Sequence, residues 1–342
     1  MSDATESVIG VDAPAPTRRY SLGVVVISTV ATLAAGVGGA VQTSLNGHLA
    51  VMIGSPVLAT ALNHAGGLAA GLVVALAIGS FPRAWRSLRA RRAEIKWWWF
   101  LGGFMGFAIV MTIISLTAQV GVVTIAVALT LGQLAGSVIA DSAALGPGGR
   151  RRLNTLRVLG IVVALAAVTI GSIGRLDPGN LFAILLIVAG GILAAIQQSA
   201  NGWVVVVTGG EWATMTVINF VAAGLGTGTV LLIQTLIAPP AFHAIPWWAP
   251  LGGVTGAAVG VALAIGVRTI GVLITMLCFA AGQAIAAILV DLFAPVDAVG
   301  VTVGSIIGAL LAVLAVALAG LGSLPRRTPR ATPDRAPDPV PQ

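Results

Sequence analysis

The chain of 342 residues carries very little charge. Lysine and arginine together number 18, aspartate and glutamate 11, and charged residues make up 8% of the sequence. An average soluble domain has roughly a quarter of its residues charged, so a water-soluble fold of this size could not cover its surface with so few. Because 57% of the residues are hydrophobic, the composition predicts that the solvent of this chain is a lipid bilayer.

Other absences exclude further classes of protein. The single cysteine, Cys278, excludes a disulfide scaffold. The three histidines lack metal-ligand spacing and no Walker A phosphate loop occurs, so we expect no metal site, no cofactor, no enzyme activity and no ATP-driven pump within this chain. The basic residues are scattered between apolar runs and not gathered on one soluble face, which argues against a nucleic-acid partner.

Long uncharged runs predict the membrane-spanning helices. No charged residue occurs between Arg19 and Arg83 or between Glu211 and Arg268. A helix needs about 20 apolar residues to cross the hydrocarbon core, so each of these runs holds two crossings. Breaks at glycine- and proline-rich turn signals, among them Gly54-Ser55-Pro56, Gly121 and Gly209-Gly210, predict ten helices. They span 22–45, 56–79, 97–118, 121–141, 154–173, 180–203, 211–237, 247–267, 270–290 and 299–321.

The basic residues predict the orientation of the chain. If the N-terminus is cytoplasmic, 17 of the 18 basic residues lie on the cytoplasmic side and Arg175 alone lies outside. Short loops rich in lysine and arginine favour the cytoplasm, so we expect an N-in, C-in protein in the cytoplasmic membrane, surrounded by lipid. The polar, proline-containing segments 1–20 and 324–342 are predicted to be disordered cytoplasmic tails.

The polar residues within the apolar runs occur twice. The segment from Gln42 to Gly47 returns 155 residues later, from Gln197 to Gly202. Further collinear matches at offsets of 150 to 156 pair Asn63 with Asn219, Trp97-Trp98 and Gly102-Gly103 with Trp247-Trp248 and Gly252-Gly253, and Gly132-Gln133 through Asp141 with Gly282-Gln283 through Asp291. Each half, 21–174 and 175–323, holds five helices, an odd number, so the second half should enter the membrane from the opposite side. Inverted repeats of this kind are typical of secondary transporters that bind substrate between the halves.

These tandem elements resemble a known family. Gln-x-x-x-Asn, Trp-Trp-x-x-x-Gly-Gly-x-x-Gly and Gly-Gln-(x)7-Asp each occur twice within residues 22–322, and this set is similar to the drug/metabolite transporter (DMT) superfamily, specifically its YdcZ-like exporters. The resemblance implies an all-α membrane protein with ten transmembrane helices, formed by two fused five-helix repeats of inverted topology. It also implies a central cavity, a peripheral fifth helix in each repeat, and export as the direction of transport.

Buried amides are the candidates for lining that cavity. An unpaired amide is costly in hydrocarbon, so these side chains should face the bundle interior, either bonding between helices or contacting a small-molecule substrate. Where two of them are spaced i, i+4 they share one helical face. The candidates are Gln42, Asn46, Asn63, Gln133, Gln197, Asn201, Asn219 and Gln283.

Three ionisable residues are candidates for coupling or gating. Asp141 and Asp291 are the acids matched by the repeat, and His64 lies within the second helix. A buried carboxylate or histidine can titrate near neutrality and relay protons. The alternative interpretation is structural: the acids bond near helix ends and the histidine packs in its neutral form. Glu211, at the start of the seventh helix, is expected to act as a cap there.

Together these features predict a secondary transporter of small organic molecules that works by alternating access, with the proton as a candidate coupling ion. Gly-x-x-x-Gly steps on the last helix suit either internal packing or a homodimer, and the tryptophans at 97–99 and 247–248 are expected to anchor the protein at the membrane interface. Two alternatives stay open. A lateral opening with a charged pocket would favour a flippase for a lipid-linked group, and a tightly packed core without a cavity would favour a structural or assembly subunit.

Overall fold

The computed structural model describes residues 21–147, 154–171, 178–237, 244–269, 271–295 and 301–321. Within these ranges the secondary structure is helical, and two short 3-10 segments, Arg92–Glu94 and Trp97–Leu101, precede the fourth α-helix. The α-helices are α1 Leu22–Ile53, α2 Pro56–Ala77, α3 Ser80–Ala90, α4 Gly102–Ser142, α5 Thr155–Gly171, α6 Pro178–Val207, α7 Trp212–Ile237, α8 Leu251–Thr269, α9 Gly271–Phe293 and α10 Val303–Leu321. Both predicted tails lie outside the described residues.

The helices begin and end at residues whose backbone chemistry requires it. Gly54 ends α1 in the left-handed conformation, with φ of 63°. Ser55 then caps α2, because its hydroxyl accepts a hydrogen bond from the Leu58 amide at 3.2 Å, and Pro56 occupies the first helical position. Gly121, with φ of 78° and ψ of 162°, breaks α4 into two arms, 102–120 and 122–142. These breaks fall at predicted turn signals.

The prediction of an all-helical membrane protein is confirmed. Five helical stretches among the described residues are long and apolar enough to cross a membrane: Leu22–Ile53, Pro56–Ala77, Trp97–Ala140, Gly179–Val207 and Trp212–Ile237. Four shorter apolar stretches coincide with the remaining predicted helices: Val158–Gly171, Leu251–Leu263, Cys278–Phe293 and Val303–Leu318. Large apolar side chains on the outer surface, such as Leu236 at 77% exposure, suit contact with lipid. The count of ten spans and the N-in, C-in orientation stay predictions.

The orientation can be tested with a single reactive thiol. Arg91, exposed at the end of α3, would be replaced by cysteine in a Cys278→Ala background. A membrane-impermeant maleimide is expected to modify Arg91→Cys in inside-out vesicles and not in intact cells, because the basic loop is expected to be cytoplasmic. Modification in intact cells would overturn the predicted orientation.

The packing of the helices has a two-fold pattern. Helix α1 packs against α8 and α9, and α6 packs in the same manner against the arms of α4, while α2 meets α7 and α5 meets α10. Exchange of the two halves leaves this set of contacts almost unchanged. The closest crossings are made by glycines, with Gly36 of α1 against the α9 backbone and Gly191 of α6 against the α4 backbone. Gly308 of α10 lies against Gly171 of α5, so this glycine serves internal packing.

One contact departs from that two-fold pattern. The end of α1 joins an apolar cluster with the first arm of α4, in which Leu49, Ile53 and Ile114 are each at most 2% exposed. Between α6 and either α8 or α9, no comparable contact occurs among the residues that the structure describes. The symmetry-related end carries an apolar cluster of its own, with Trp99, Val204 and Met215, and the repeat mate of Ile114 lies outside the described side chains.

The predicted loop at 80–96 contains a helix that the turn signals did not reveal. Helix α3 buries Ser80 and Ala84 against the bundle and exposes Trp85 and several arginines. Its eleven residues are too few to span a membrane and carry too much charge for the interior of a bilayer, so a search for long apolar runs passes over it.

Candidate functional site

Three amides of the first half form one hydrogen-bonded group, named here the first amide cluster: Gln42 and Asn46 of α1 with Asn63 of α2. The Oδ1 atom of Asn63 accepts from Asn46 Nδ2 at 2.9 Å and from Gln42 Nε2 at 3.2 Å. Asn46 and Asn63 are 3% and 1% exposed. Asn46 Oδ1 and Asn63 Nδ2 are buried without a hydrogen-bond partner, so the cluster retains one acceptor and one donor.

The second half forms the matching group, named the second amide cluster: Gln197 and Asn201 of α6 with Asn219 of α7. Asn219 Nδ2 donates to Asn201 Oδ1 at 2.8 Å, and Gln197 Nε2 donates to the Gly102 carbonyl oxygen of α4 at 2.8 Å. Gln42 and Gln197 are both half-buried, but Asn219 is half-buried where its counterpart Asn63 is almost fully buried. The second cluster is thus the more accessible of the two.

Glycines from the opposite half cover each cluster. A Cβ atom on Gly256 of α8 would lie 2.5 Å from Gln42 Nε2, and one on Gly252 would collide with Asn46. Likewise, a Cβ on Gly106 of α4 would lie 2.7 Å from Gln197 Nε2, and one on Gly102 would lie 2.5 Å from Asn201 Oδ1. The repeated glycine motif therefore provides the close approach that lets the amides of one half contact the backbone of the other.

The two remaining candidate amides, Gln133 and Gln283, belong to the repeated Gly-Gln-(x)7-Asp motif. Gln283 of α9 is 6% exposed, and its Oε1 atom is buried without a partner. Its Nε2 atom would be 3.3 Å from a Cβ on Gly39 of α1. Gln133, the repeat mate on α4, is half-buried, and its side chain makes no hydrogen bond with the described residues. An unpaired amide oxygen in an apolar bundle is costly unless a ligand or water satisfies it.

His64 is packed inside the bundle between the two halves. It is 3% exposed, its Nδ1 lies 2.7 Å from Thr227 Oγ1 of α7, and its ring meets Phe220 edge-on at 6.2 Å. Thr227 Oγ1 also lies 2.9 Å from the Ala223 carbonyl oxygen, so the one hydroxyl proton has two acceptors within reach, and the direction of the His64–Thr227 bond depends on the histidine tautomer. This geometry suits a neutral, packed histidine.

Asp291 of α9 bonds to the break in α4. Its two carboxylate oxygens accept from the Val122 amide at 3.1 Å and the Val123 amide at 2.8 Å, and the residue is 2% exposed. These amides open the second arm of α4, directly after Gly121, where no preceding turn supplies acceptors. Asp291 therefore caps a helix of the opposite half. The side chain of Asp141, its repeat mate, lies outside the described side chains.

Two further groups differ from their predicted roles. Trp97 is 75% exposed, as an interfacial anchor should be, but Trp99 is 4% exposed and stacks on Trp203 of α6 with ring centroids 4.8 Å apart. Glu211, expected only to cap α7, also accepts from Ser80 at 2.8 Å and from Arg83 Nη2 at 3.0 Å, both of α3. Hydrogen bonding to Glu211 raises the pKa of the Arg83 guanidinium above its ordinary value.

Comparison with known proteins places these features in context. The sequence model of the family described as "Putative inner membrane exporter, YdcZ" matches the chain twice, over residues 27–170 and 182–318. A solved structure titled "Crystal structure of protein" is similar in fold, with a TM-score of 0.55 and 19% identity over 88% of this chain and 98% of that chain. No curated protein matches the chain. The double match confirms that the chain consists of two repeats.

Proposed function

The chain belongs to the YdcZ family of the drug/metabolite transporters, multi-pass exporters of the cytoplasmic membrane, and from this we propose that it exports small polar organic molecules by alternating access. The single observation that carries the substrate class is the unpaired Gln283 Oε1 inside an apolar bundle. A donor on the substrate, such as a hydroxyl or amine N–H, would satisfy this oxygen. Water can satisfy it when no substrate is bound.

The polar groups of the site favour an uncharged solute. Both amide clusters, Gln133 and Gln283 offer donors and acceptors, and these groups include no formal charge to pair with an ionic substrate. A buried charge without a partner is far more costly than a buried amide. The same argument disfavours a flippase for an anionic headgroup, which would need cationic side chains at this position.

The unequal accessibility of the two amide clusters supports alternating access. The Leu49, Ile53 and Ile114 cluster closes the end near the first amide cluster, and the second amide cluster is the more accessible. In the predicted orientation the end near Leu49 is extracellular, and in the proposed mechanism the more accessible second amide cluster faces the cytoplasm. Because the halves share one architecture, an outward-facing state would form the matching contact between α6 and the second half.

The central experiment measures export by cells that carry variants of the two unpaired glutamines. Metabolites released by an overexpressing strain and by a deletion strain identify the exported solute, and its release is then measured for Gln283→Ala and Gln133→Ala. Each is expected to lower release about ten-fold, which corresponds to about 1.4 kcal/mol, near the upper end for one hydrogen bond.

The matched control is Gln119→Ala. Gln119 lies on α4 like Gln133, but it is exposed and donates to Asn180 at 2.8 Å. Its replacement is expected to leave release within about two-fold of the unaltered protein, because an exposed hydrogen bond contributes little. Release unchanged by both Gln133→Ala and Gln283→Ala would remove these residues from the site. Identical metabolite profiles in the two strains would instead favour the structural or assembly subunit.

A further inference from the structure

Helix α3 has two faces of opposite character. Ser80 and Ala84 are buried, and Leu88 is half-buried where the helix packs against α2, α6 and α7. The other face exposes 58% of Trp85, together with Arg86 and Arg89. A short helix with an apolar body, an exposed tryptophan and several arginines is typical of elements that lie at a membrane surface.

The cations of this segment have unequal roles. Arg83 is bound to Glu211 and to the Ile78 carbonyl oxygen, so the fold already uses its charge. The five others are exposed: Arg86, Arg89, Arg91, Arg92 and Lys96. Glu94 is the only acid between residues 80 and 96. The segment therefore presents a net positive surface that internal ion pairing does not neutralise.

A shallow apolar groove, largely open to the outside, lies beside these cations. It has a volume of about 400 Å³ and is lined by Phe81, Pro82, Ala84, Trp85 and Leu88 of α3 and by Thr214 of α7. The Arg89 guanidinium lies 5.1 Å from the centre of the Trp85 ring, a cation–π distance. A positive charge thus stands at the edge of an apolar groove, the arrangement that an amphiphile with an anionic head and an apolar tail requires.

We propose that α3 and this groove bind a phospholipid with an anionic headgroup from the leaflet in which α3 lies. The acyl chain occupies the groove, and Arg86, Arg89 and the basic residues that follow contact the headgroup. Basic residues in a loop are sufficient to orient a chain in the membrane. The site proposed here has, in addition, a helix, an exposed tryptophan and a groove, which orientation alone does not require. The Arg83–Glu211 pair links α3 to the start of α7, so a bound lipid would hold the α3–α7 contact in place.

The test is lipid retention by the full-length protein, measured by native mass spectrometry. The purified protein is mixed with equal amounts of phosphatidylglycerol and phosphatidylcholine, and the lipids that stay bound are counted. Phosphatidylglycerol is expected to be retained selectively. In the variant with Arg86, Arg89, Arg91 and Arg92 changed to glutamine, selectivity is expected to fall at least about ten-fold, since each juxtamembrane cation is worth roughly five-fold.

A matched variant separates this site from net charge. Arg326, Arg327, Arg330 and Arg335, four arginines near the end of the chain, are changed to glutamine, and selectivity is expected to persist. Two further measurements do not use the four-arginine variants. Added salt should reduce retention by the unaltered protein, and Trp85→Ala should reduce it more than Trp97→Ala, because Trp97 does not line the groove.

Three results would overturn the proposal. Equal retention of the two lipids by the unaltered protein would do so, as would equal losses in the two four-arginine variants. A dimer in the same spectra that disappears in Trp85→Ala, without selective retention of phosphatidylglycerol, would assign the groove to a second copy of the chain. The transport measurements with Gln133 and Gln283 do not depend on any of these results.

Discussion

Gly253→Ala is expected to destabilise the folded transporter strongly. A Cβ atom at this position of α8 would collide with the backbone carbonyl oxygen of Asn63 on α2, with Gly67 of α2 also close behind. Because these neighbours include backbone atoms, no change of rotamer relieves the overlap, and the two helices must separate. We expect destabilisation by about 3 kcal/mol or more, the upper range for overpacking, seen as loss of the monodisperse peak in detergent after mild heating.

Gly260→Ala is the control for that experiment. Gly260 lies on the same helix, and no atom of the residues that the structure describes lies within 4 Å of a Cβ built there. Alanine favours a helix by up to about 1 kcal/mol over glycine, so this variant should be as stable as the unaltered protein or slightly more so. Gly103→Ala, the repeat mate of Gly253→Ala, should fail in the same way, because its Cβ would meet the Asn219 carbonyl oxygen. A heat-stable Gly253→Ala protein would show that α2 and α8 do not approach this closely.

Asp291→Ala is expected to have the second large effect. The variant leaves the amides of Val122 and Val123 without the carboxylate that accepts from them. Each buried donor without a partner costs about 1–3 kcal/mol, so we expect a loss of roughly 3 kcal/mol or more. Thermal unfolding in detergent measures it, and Glu94→Ala, which removes an exposed acid, should leave the midpoint almost unchanged.

Asp291→Asn distinguishes a cap from a proton-coupling residue. Asparagine keeps one side-chain oxygen as an acceptor but cannot ionise, so it should restore about half of the stability lost in the alanine variant. If Asp291 is a cap, export by the folded Asn variant should respond to collapse of the pH gradient as the unaltered protein does. An Asn variant of full stability whose export no longer responds to the gradient would favour coupling through Asp291.

Much of the arrangement could be predicted from the sequence. In hydrocarbon, polar side chains and helix breaks are rare, so the few that occur are conspicuous. The breaks at Gly54, Gly121 and Gly210 were visible as turn signals, and the family match confirms the two repeats. The paired amides were identified as candidates, and the structure brings six of them together in two clusters.

Contacts between helices that are distant in the sequence could not be predicted. A sequence reveals that Asp291 is repeated, but the amides that it caps are 168 and 169 residues away in the chain, a contact that no local pattern encodes. Trp99 could not be told from Trp97, because burial depends on the arrival of Trp203 from another helix. Helix α3 was not predicted because its residue pattern is that of a helix at a membrane surface and not of a transmembrane helix. Its charges were read as a topology signal alone.

The glycines that cover the amide clusters have a mechanical consequence. Where side chains interlock, two helices can slide past one another only if they first move apart, so the contact resists sliding. Gly252 and Gly256 of α8 have no side chain, so Asn46 and Gln42 of α1 lie directly against the backbone of α8 at these two positions. Gln42 and Asn46 donate to Asn63 of α2 and not to α8, so their hydrogen bonds do not hold α1 to α8. Steric resistance to sliding of α1 along α8 is therefore low at Gly252 and Gly256, and it comes instead from side chains such as Val259, which approaches α1 at Gly38.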